Sequence, residues 1–347
     1  MRYGIYYRKC DMETAPLFSN KYQEQGIEDQ VQTVCRSFFR KNAEKIDGLN
    51  CDGNHYVYRF SVDGEPYLFR ADTADDDDDY MLAEAEIMKV ASASGIPVPR
   101  VYGCDVTRSI VSCRWQILEW ISGASLFELE RKKKLNVPVI ASQLGKIFRK
   151  LHEIRIREFG FIDTEKLKNG KGLCGLCKSY GDYFYCRLEE HLGYLEKHAL
   201  VPDAYIRRSR SVLYENRKLF QHTEGCLVHR DPAFWNLIGQ GDSVRAIVDW
   251  DDAVSGDPAD DIGLMHCFHD EPFMGLFLNA YGQGDSDFRC RINLHFLRNM
   301  IWKMVIRHKK GYFERGSGFF LNLPDSSLTL YEMTLRKIAT ALEWSER

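Results

Sequence analysis

The chain has 347 residues, of which 44% are hydrophobic, 13% aromatic and 28% charged, and its formal net charge is -3. This composition excludes a disordered or fibrous protein, and the length favours two lobes or domains. We expect no nucleic-acid partner, because the charge balance gives no sign of a basic patch. No segment reads as a signal peptide or a membrane span, so we expect a cytoplasmic protein with no membrane partner.

The first part of the chain predicts one helix followed by antiparallel strands. Residues 29–42 space apolar side chains at helical intervals, whereas Tyr56–Val62 and Tyr67–Arg70 are short and aromatic-rich. Asp63 and Gly64 lie between the two strands and predict a hairpin turn.

A run of five aspartates, Asp75–Asp79, interrupts this pattern and favours a solvated loop over a cation site. Residues Tyr80–Ser92 then have helical spacing, and a segment with two prolines ends the helix. Val101–Tyr102 and Trp115–Leu118 are predicted strands. The first third of the chain therefore predicts a small lobe of helices and antiparallel sheet.

Beyond Gly123 the pattern changes to long amphipathic helices, which predict a larger, mainly helical lobe. The predicted helices are Val139–Ile154, Tyr180–Lys197, Pro202–Gln221, Arg291–Lys309 and Ser326–Trp344.

The eleven cysteines are odd in number and follow no framework spacing, which favours reduced thiols. Cys174 and Cys177 form the only C-x-x-C. Because no second Cys or His pair follows at zinc-finger distance, we favour coincidence over a metal or redox role.

The most informative segment is Leu227–Ile238, which reads L-V-H-R-D-P-A-F-W-N-L-I. Asp231 and Asn236 match the pattern H-R-D-x-x-x-x-N, and Asp249 follows a short apolar strand. Phosphoryl transfer needs a base near the acceptor hydroxyl and oxygen ligands for a divalent metal. An Asx-turn or a helix cap would explain one such aspartate, but not all three groups. The pattern predicts Asp231 as the base and Asn236 and Asp249 as metal ligands.

These residues resemble the aminoglycoside phosphotransferases, relatives of the protein kinases. The sequence pattern is most similar to that of the hygromycin-type enzymes. The resemblance runs from about Lys45 to Ile262. It implies an α+β, two-lobed, protein-kinase-like fold with a small antiparallel-sheet N-lobe and a larger helical C-lobe. The implied division is residues 1–118, with a helical extension at 1–44, a hinge at 119–123, and residues 124–347 with the catalytic loop and substrate site.

The resemblance also implies a nucleotide site. Gly53 and Asn54 match the family's nucleotide loop, where backbone N–H groups approach phosphates. Leu118 would lie beside the adenine, while Glu119 and Ile121 would offer backbone groups to the base.

Arg70 takes the position of the phosphate-pairing cation, which is usually a lysine in this family. Glu84 would be its helix partner, with Glu86 as the competing candidate. A guanidinium is a planar fork, whereas an ammonium is a point charge. We therefore expect arginine at this position to change the affinity for the nucleotide and the geometry of the phosphate contact.

Gly256–Ile262 resembles the family's G-D-P-x-x-D-L segment, whose proline begins a helix and whose aspartates tie that helix to the catalytic loop. The interval from Asp249 to Asp257 is too short for a protein-kinase activation segment, which disfavours a peptide substrate. Arg230 replaces the family's usual glycine, and a local carboxylate such as Asp252 or Asp257 is a candidate partner for it.

We therefore expect an O-phosphotransferase that uses ATP or GTP with Mg²⁺ and acts on a small hydroxylated molecule, with a cationic aminoglycoside antibiotic as the favoured acceptor. A metabolic kinase for an amino alcohol, sugar amine or amino acid is the alternative. A nucleotide-binding pseudoenzyme is disfavoured, because the three motif residues are intact. Carboxylates that could contact the acceptor are Asp251, Asp252, Asp260 and Glu271, with Glu189, Glu190 and Asp270 as further acidic residues of this lobe.

Overall fold

The structure is a computed structural model that describes residues 27–49, 55–74, 79–282, 284–315, 319, 321 and 327–346. Its first part contains α1 (Ile27–Phe39), β1 (Glu44–Gly48), β2 (Tyr56–Val62), β3 (Glu65–Asp72), α2 (Tyr80–Ala93), β4 (Val101–Asp105) and β5 (Arg114–Glu119). The five strands form one antiparallel sheet in the order β1-β2-β3-β5-β4.

The second part is mainly helical. Its helices are α3 (Leu126–Arg131), α4 (Val137–Leu151), α5 (Thr164–Lys168), α6 (Tyr180–Phe184), α7 (Leu188–Lys197), α8 (Asp203–Glu215), α9 (Pro258–His266), α10 (Glu271–Tyr281), α11 (Ser286–Lys309) and α12 (Leu330–Ser345). Its strands are β6 (Ala124–Ser125), β7 (Arg155–Ile156), β8 (Phe159–Ile162), β9 (Gly175–Cys177), β10 (Gly225–Val228), β11 (Leu237–Gln240), β12 (Ser243–Ile247) and β13 (Val254–Gly256). They form two small sheets, ordered β7-β10-β13-β8-β9 and β12-β11-β6.

The predicted hairpin is confirmed. β2 and β3 pair from Tyr56 with Ala71 to Val62 with Glu65. The two turn residues have φ angles of 51° at Asp63 and 81° at Gly64, which is the left-handed pair that a two-residue hairpin requires.

Helix α1 covers the sheet of the first part. Val31 and Val34 are fully buried and belong to the same core as Phe69 and Trp115. This helix therefore stabilises the smaller lobe by adding a layer to its core. The preceding residues lie outside the described part of the chain.

Two predicted helices are wrong in their extent. The segment Tyr180–Lys197 forms two helices, α6 and α7, because Arg187 takes a left-handed conformation with φ 58° between them. The predicted helix over Pro202–Gln221 also ends early, as α8 stops at Glu215 and a 3-10 turn follows. Several strands of two to four residues were too short for periodicity to reveal.

Among the described residues, none of the helices combines the length and the apolar character that a membrane span requires. All cysteines in the described ranges are free thiols. Of the acidic run, only Asp79 lies in the described part, and it pairs with Lys168.

Candidate active site

The loop between β10 and β11 places Asp231 beside Asn236. β10 is fully buried, and a 3-10 turn over Phe234–Asn236 brings the Asn236 amide back toward the aspartate. The Asn236 Nδ2 group donates to Asp231 Oδ2 (2.8 Å) and to the Asp231 carbonyl (3.1 Å). This arrangement fixes the Asp231 carboxylate and turns the Asn236 amide oxygen toward other partners.

Asp261 holds the backbone of this loop. Its fully buried carboxylate accepts hydrogen bonds from the His229 and Arg230 N–H groups, both at 2.8 Å. His152 Nε2 lies 3.1 Å from the same carboxylate, and its Nδ1 lies 2.9 Å from the Tyr281 hydroxyl. The link that we predicted between the aspartates of α9 and the catalytic loop is present.

His229 joins the catalytic loop to the segment that precedes Asp249. Its Nδ1 accepts from the Asp231 N–H (3.2 Å), and its Nε2 lies 3.1 Å from the Val248 carbonyl. Burial lowers the pKa of His229, so the ring is neutral and Nε2 carries the proton that it donates to Val248. The predicted base and the predicted metal ligand thus belong to one hydrogen-bonded unit.

Asp249 follows β12 and has a left-handed φ of 65°. Desolvation raises the pKa of its carboxyl to about 7, and the negative charges of Glu84 and Asp231 add to the shift. The charge of Arg70, 3.1 Å away, opposes this rise in pKa but does not cancel it, and 41% of the side chain is exposed. The carboxylate therefore lies where negative charge is incompletely neutralised.

This excess negative charge fits a divalent cation. Ligand atoms of His55, Asp249 and Asp251 all lie within 4.8 Å of one another. His55 is already bonded to Arg70 (2.9 Å) and to the Tyr80 hydroxyl (2.6 Å). The oxygen donors are therefore Asp249 and Asp251, with the Asn236 amide on the adjoining loop, and such ligands suit Mg²⁺.

Arg70 bridges the sheet of the first part to this site. Its Nη1 forms a buried ion pair with Glu84, and its Nη2 lies 3.1 Å from Asp249 Oδ1. The same Glu84 carboxylate accepts from the Trp250 N–H (3.0 Å) and from Gln116 Nε2 (3.1 Å). Glu84 is thus the partner of Arg70.

The competing candidate, Glu86, lies elsewhere. Its carboxylate pairs with Lys89 at 3.3 Å, on an exposed part of the same helix.

Of the residues predicted to bind the nucleotide, those beside the adenine are described and those of the phosphate loop are not. Leu118 is buried at the end of β5, and Ile121 is half-buried in an irregular segment. The Glu119 N–H donates to the Arg100 carbonyl (2.8 Å), so this group is not available to a base. Gly53 and Asn54 lie outside the described residues.

Asp260, a predicted acceptor contact, is buried and bonded to other side chains. Only 1% of the residue is exposed, and its carboxylate accepts from Arg230 Nη1 (2.7 Å) and Asn299 Nδ2 (3.0 Å). Asp260 is therefore a partner of Arg230, a local carboxylate other than the two that we named from the sequence, Asp252 and Asp257.

The other acidic residues named from the sequence are bonded within the fold, exposed on the surface or next to the catalytic loop. Asp257 pairs with Arg291 Nε (2.7 Å) and His222 Nε2 (3.0 Å), so its carboxylate is also committed to the scaffold. Glu271 is 68% exposed at the start of α10, 3.7 Å from His266. Asp251 and Asp252 remain next to the catalytic loop and the predicted metal ligands.

Three contributors to the site were not foreseen in the sequence. His55, directly before β2, and Gln116 in β5 bind the Arg70–Glu84 pair, and the Trp250 N–H binds Glu84 across the interface of the two parts. A polar residue inside the buried strand β5 was the one available signal, since Gln116 interrupts an otherwise apolar run.

The profile of the phosphotransferase enzyme family (APH) matches residues 49–297. The chain belongs to this family. Members are phosphotransferase enzymes, and the sheet-rich first part and helical second part are the kinase-like fold of the family. No curated protein sequence is significantly similar to the chain.

Solved structures support the fold of this phosphotransferase. The aminoglycoside phosphotransferase APH(4)-Ia has a TM-score of 0.66 at 13% identity, covering 92% of this chain and 99% of its own. Its thermostable variant in complex with AMP-PNP and hygromycin B has a TM-score of 0.63 at 14% identity, covering 91% and 98%. A candidate fructosamine-3-kinase from Thermobifida fusca has a TM-score of 0.58 at 18% identity, covering 91% and 99%.

Proposed function

We propose that this phosphotransferase transfers the γ-phosphate of ATP or GTP, with Mg²⁺, to a hydroxyl group of a small molecule. The observation that carries the proposal is the hydrogen-bonded unit of Asp231, Asn236 and the Val248–Asp249 segment. It holds a carboxylate base and oxygen ligands for a metal side by side, which is the arrangement that phosphoryl transfer needs.

In this scheme Asp231 accepts the proton of the acceptor hydroxyl as its oxygen attacks the γ-phosphorus and the bond to the nucleoside diphosphate breaks. The Asn236 bond to Asp231 Oδ2 keeps one carboxylate oxygen in place and leaves the other to the acceptor. Asn236 and Asp249, with Asp251 beside them, would hold Mg²⁺, which would neutralise phosphate charge. Arg70, oriented by Glu84 and lying beside Asp249, would supply a cation for the remaining phosphate charge.

A small acceptor is favoured over a peptide. β13 begins at Val254, so only a few residues separate Asp249 from the next strand. This leaves no room for a segment that could bind an extended peptide chain beside Asp231.

Two acceptor classes follow from the comparisons. The complex of an APH(4)-Ia variant with hygromycin B supports an aminoglycoside, with Asp251 and Asp252 as the carboxylates closest to the site. The likeness to a candidate fructosamine-3-kinase supports a metabolic acceptor. The burial of Asp260 favours the metabolic alternative, because it removes one of the carboxylates that a polycationic antibiotic would need.

The direct test is acceptor-dependent ADP or GDP release with detection of the phosphorylated product by mass spectrometry. Asp231→Asn should lower transfer about 100-fold or more, the range for loss of a general base, and leave Mg-nucleotide binding largely intact. The matched control is Asp242→Asn, an exposed turn aspartate, which should keep full activity. Unchanged turnover by Asp231→Asn contradicts the assignment of the base.

Expression in an aminoglycoside-sensitive bacterium separates the two acceptor classes. An antibiotic acceptor predicts a higher inhibitory concentration for at least one aminoglycoside with the wild type and not with Asp231→Asn. No change across a broad panel favours the metabolic kinase.

A further inference from the structure

One face of α11 carries buried polar residues at every fourth position: His295, Asn299, Lys303 and Arg307. Residues at this spacing share a helix face, and here they form a row that we call the α11 stripe. Their exposed fractions are 2%, 2%, 8% and 6%. Polar groups on a buried helix face need hydrogen-bonding or charged partners, since burying each unpaired group costs folding free energy.

The first half of the stripe has such partners. His295 lies 3.4 Å from Asp260 and 3.6 Å from Asp257, and Asn299 donates to Asp260 at 3.0 Å. These residues reach the carboxylates beneath the catalytic loop. The stripe therefore begins directly behind Arg230 and Asp231.

The second half has no acidic partner. Within the described ranges, Lys303 Nζ makes no hydrogen bond and pairs with no carboxylate; its contacts are the rings of Phe268 (4.3 Å) and Trp302 (5.3 Å). Arg307, one turn further, donates to the Thr334 hydroxyl (2.6 Å) and likewise has no carboxylate partner in the described part.

Burial lowers the pKa of Lys303 to about 8, and Arg307 and Arg230 lower it further, while Cys267 and Asp231 oppose the shift. The ammonium group is therefore charged near neutral pH at an energetic cost. An anion placed beside it would recover that cost.

Aromatic contacts connect Lys303 to the base. The Phe268 ring packs edge-on against Trp235 with a centroid distance of 5.0 Å. The indole Nε1 of Trp235 points at Asp231 Oδ2 from 3.5 Å. Trp235 and Phe268 are half-buried, so a surface of two aromatic rings leads from the catalytic carboxylate to the lysine.

We propose that Lys303 binds an anionic group, a carboxylate, phosphate or sulfate, of the acceptor whose hydroxyl is presented to Asp231, with Arg307 as the next cation along the stripe. That the anion belongs to the phosphorylated acceptor rests on the proposed function. The anion site itself does not. It narrows the metabolic alternative to hydroxylated acids.

The anion site is tested with sulfate, added at constant ionic strength to protein saturated with Mg²⁺ and a non-hydrolysable ATP analogue. Sulfate should raise the melting temperature of the wild type and of Lys303→Arg, and the response should be lost in Lys303→Met, which keeps the aliphatic stem over Phe268. The control is Lys146→Met, an exposed lysine of α4, which should respond like the wild type. An equal response of Lys303→Met and the wild type overturns the site.

The acceptor class is tested with pairs that differ in one anionic group, such as hexuronates against hexoses and hydroxy acids against diols. We expect turnover of the anionic members, a KM about 10- to 100-fold higher in Lys303→Met, the range for one charge-assisted hydrogen bond, and a kcat close to that of the wild type. Preferred turnover of neutral or cationic members, with a KM indifferent to Lys303, overturns the assignment.

The two proposals fail in different ways. If no acceptor is phosphorylated but sulfate binds through Lys303, the proposed function fails and the anion site stands. If transfer depends on Asp231 but neither sulfate nor KM depends on Lys303, the kinase stands and the anion site fails.

Discussion

Residues 249–261 contain two groups of carboxylates that the fold treats in opposite ways. The metal edge, comprising Asp249, Asp251 and Asp252, has excess negative charge, and the pKa of Asp249 is raised to about 7. The scaffold group, comprising Asp257 and Asp260, is matched by cations. Since the two groups lie within one short segment, their difference depends on partners and not on chain position.

The partners of the scaffold group explain its titration. Burial alone would raise the pKa of Asp257, but His222, His295 and Arg291 hold it well below the usual value. The charges of Arg230 and His295 likewise lower the pKa of Asp260 against the effect of burial. Carboxylates matched in this way stabilise the fold, whereas the raised pKa of Asp249 suits that carboxylate to binding a cation.

The largest expected effect is on stability. Asp260→Asn removes the charge that neutralises the buried Arg230, which should cost about 3 kcal/mol in the free energy of unfolding, measured by urea denaturation. The double variant with Arg230→Met should recover part of this loss. If Asp260→Asn instead keeps wild-type stability and raises only an acceptor KM, Asp260 belongs with the ligand-binding group.

Asp249→Ala should act on the ligand and not on the fold. We expect Mg-nucleotide affinity to fall about 100-fold, because the variant lacks the metal ligand that Arg70 and Glu84 position. The melting temperature should stay close to that of the wild type, since the carboxylate is partly exposed and repelled by its neighbours. Calorimetry with and without Mg²⁺ checks this, and equal affinities for both proteins would exclude Asp249 as a ligand.

A smaller effect is expected on the pH dependence of stability, through His295, which contacts both carboxylates of the scaffold group. The pKa of His295 is raised, because Asp260 and Asp257 outweigh the effect of burial. Its stabilising contribution is therefore complete below the unfolded pKa of about 6.5 and is lost as the pH rises through the folded pKa.

His295→Gln should accordingly reduce the free energy of unfolding more at about pH 6 than at about pH 9, by roughly 1 kcal/mol. Urea midpoints at both pH values measure the difference. The depressed pKa values of Asp257 and Asp260 add a separate loss of stability below about pH 4, which should be present in both proteins. A wild-type-to-variant difference independent of pH would show that His295 is not protonated in the fold.

A further small effect is expected at Arg70. Arg70→Lys keeps the charge but gives one ammonium in place of the two nitrogens that contact Glu84 and Asp249. We expect a loss of nucleotide affinity of about tenfold at most. An increase in affinity would show that the site is adapted to the family's usual lysine.

Much of this site follows from local sequence. The H-R-D-x-x-x-x-N pattern, the hairpin at Asp63 and the start of α9 at Pro258 depend on neighbouring residues, and the structure has each of them. The partner of Arg230 could not be foreseen in this way, because it depends on the rotation of α9 against the loop. Asp257 and Asp260 are three residues apart and lie almost on one helix face.

Lys303 shows a second reason why some residues escape sequence reasoning. Residues Leu294–Arg307 of α11 are buried without interruption, so the helix has no solvated face in that stretch. Periodicity assigns a lysine to solvent by default. Only the packing of α9 and α12 around this helix places Lys303 in the interior.

The bond from the Trp250 N–H to Glu84 has a further consequence for control of the enzyme. In protein kinases a movable helix and a modifiable loop set the active state together. Here the Glu84 carboxylate holds Arg70, Gln116 and the backbone beside the metal edge at once, and the described segment from Asp249 to Asp257 contains only a short strand and turns. We expect α2 to stay in place with or without substrate, so that the output of the enzyme follows its abundance and the supply of its acceptor.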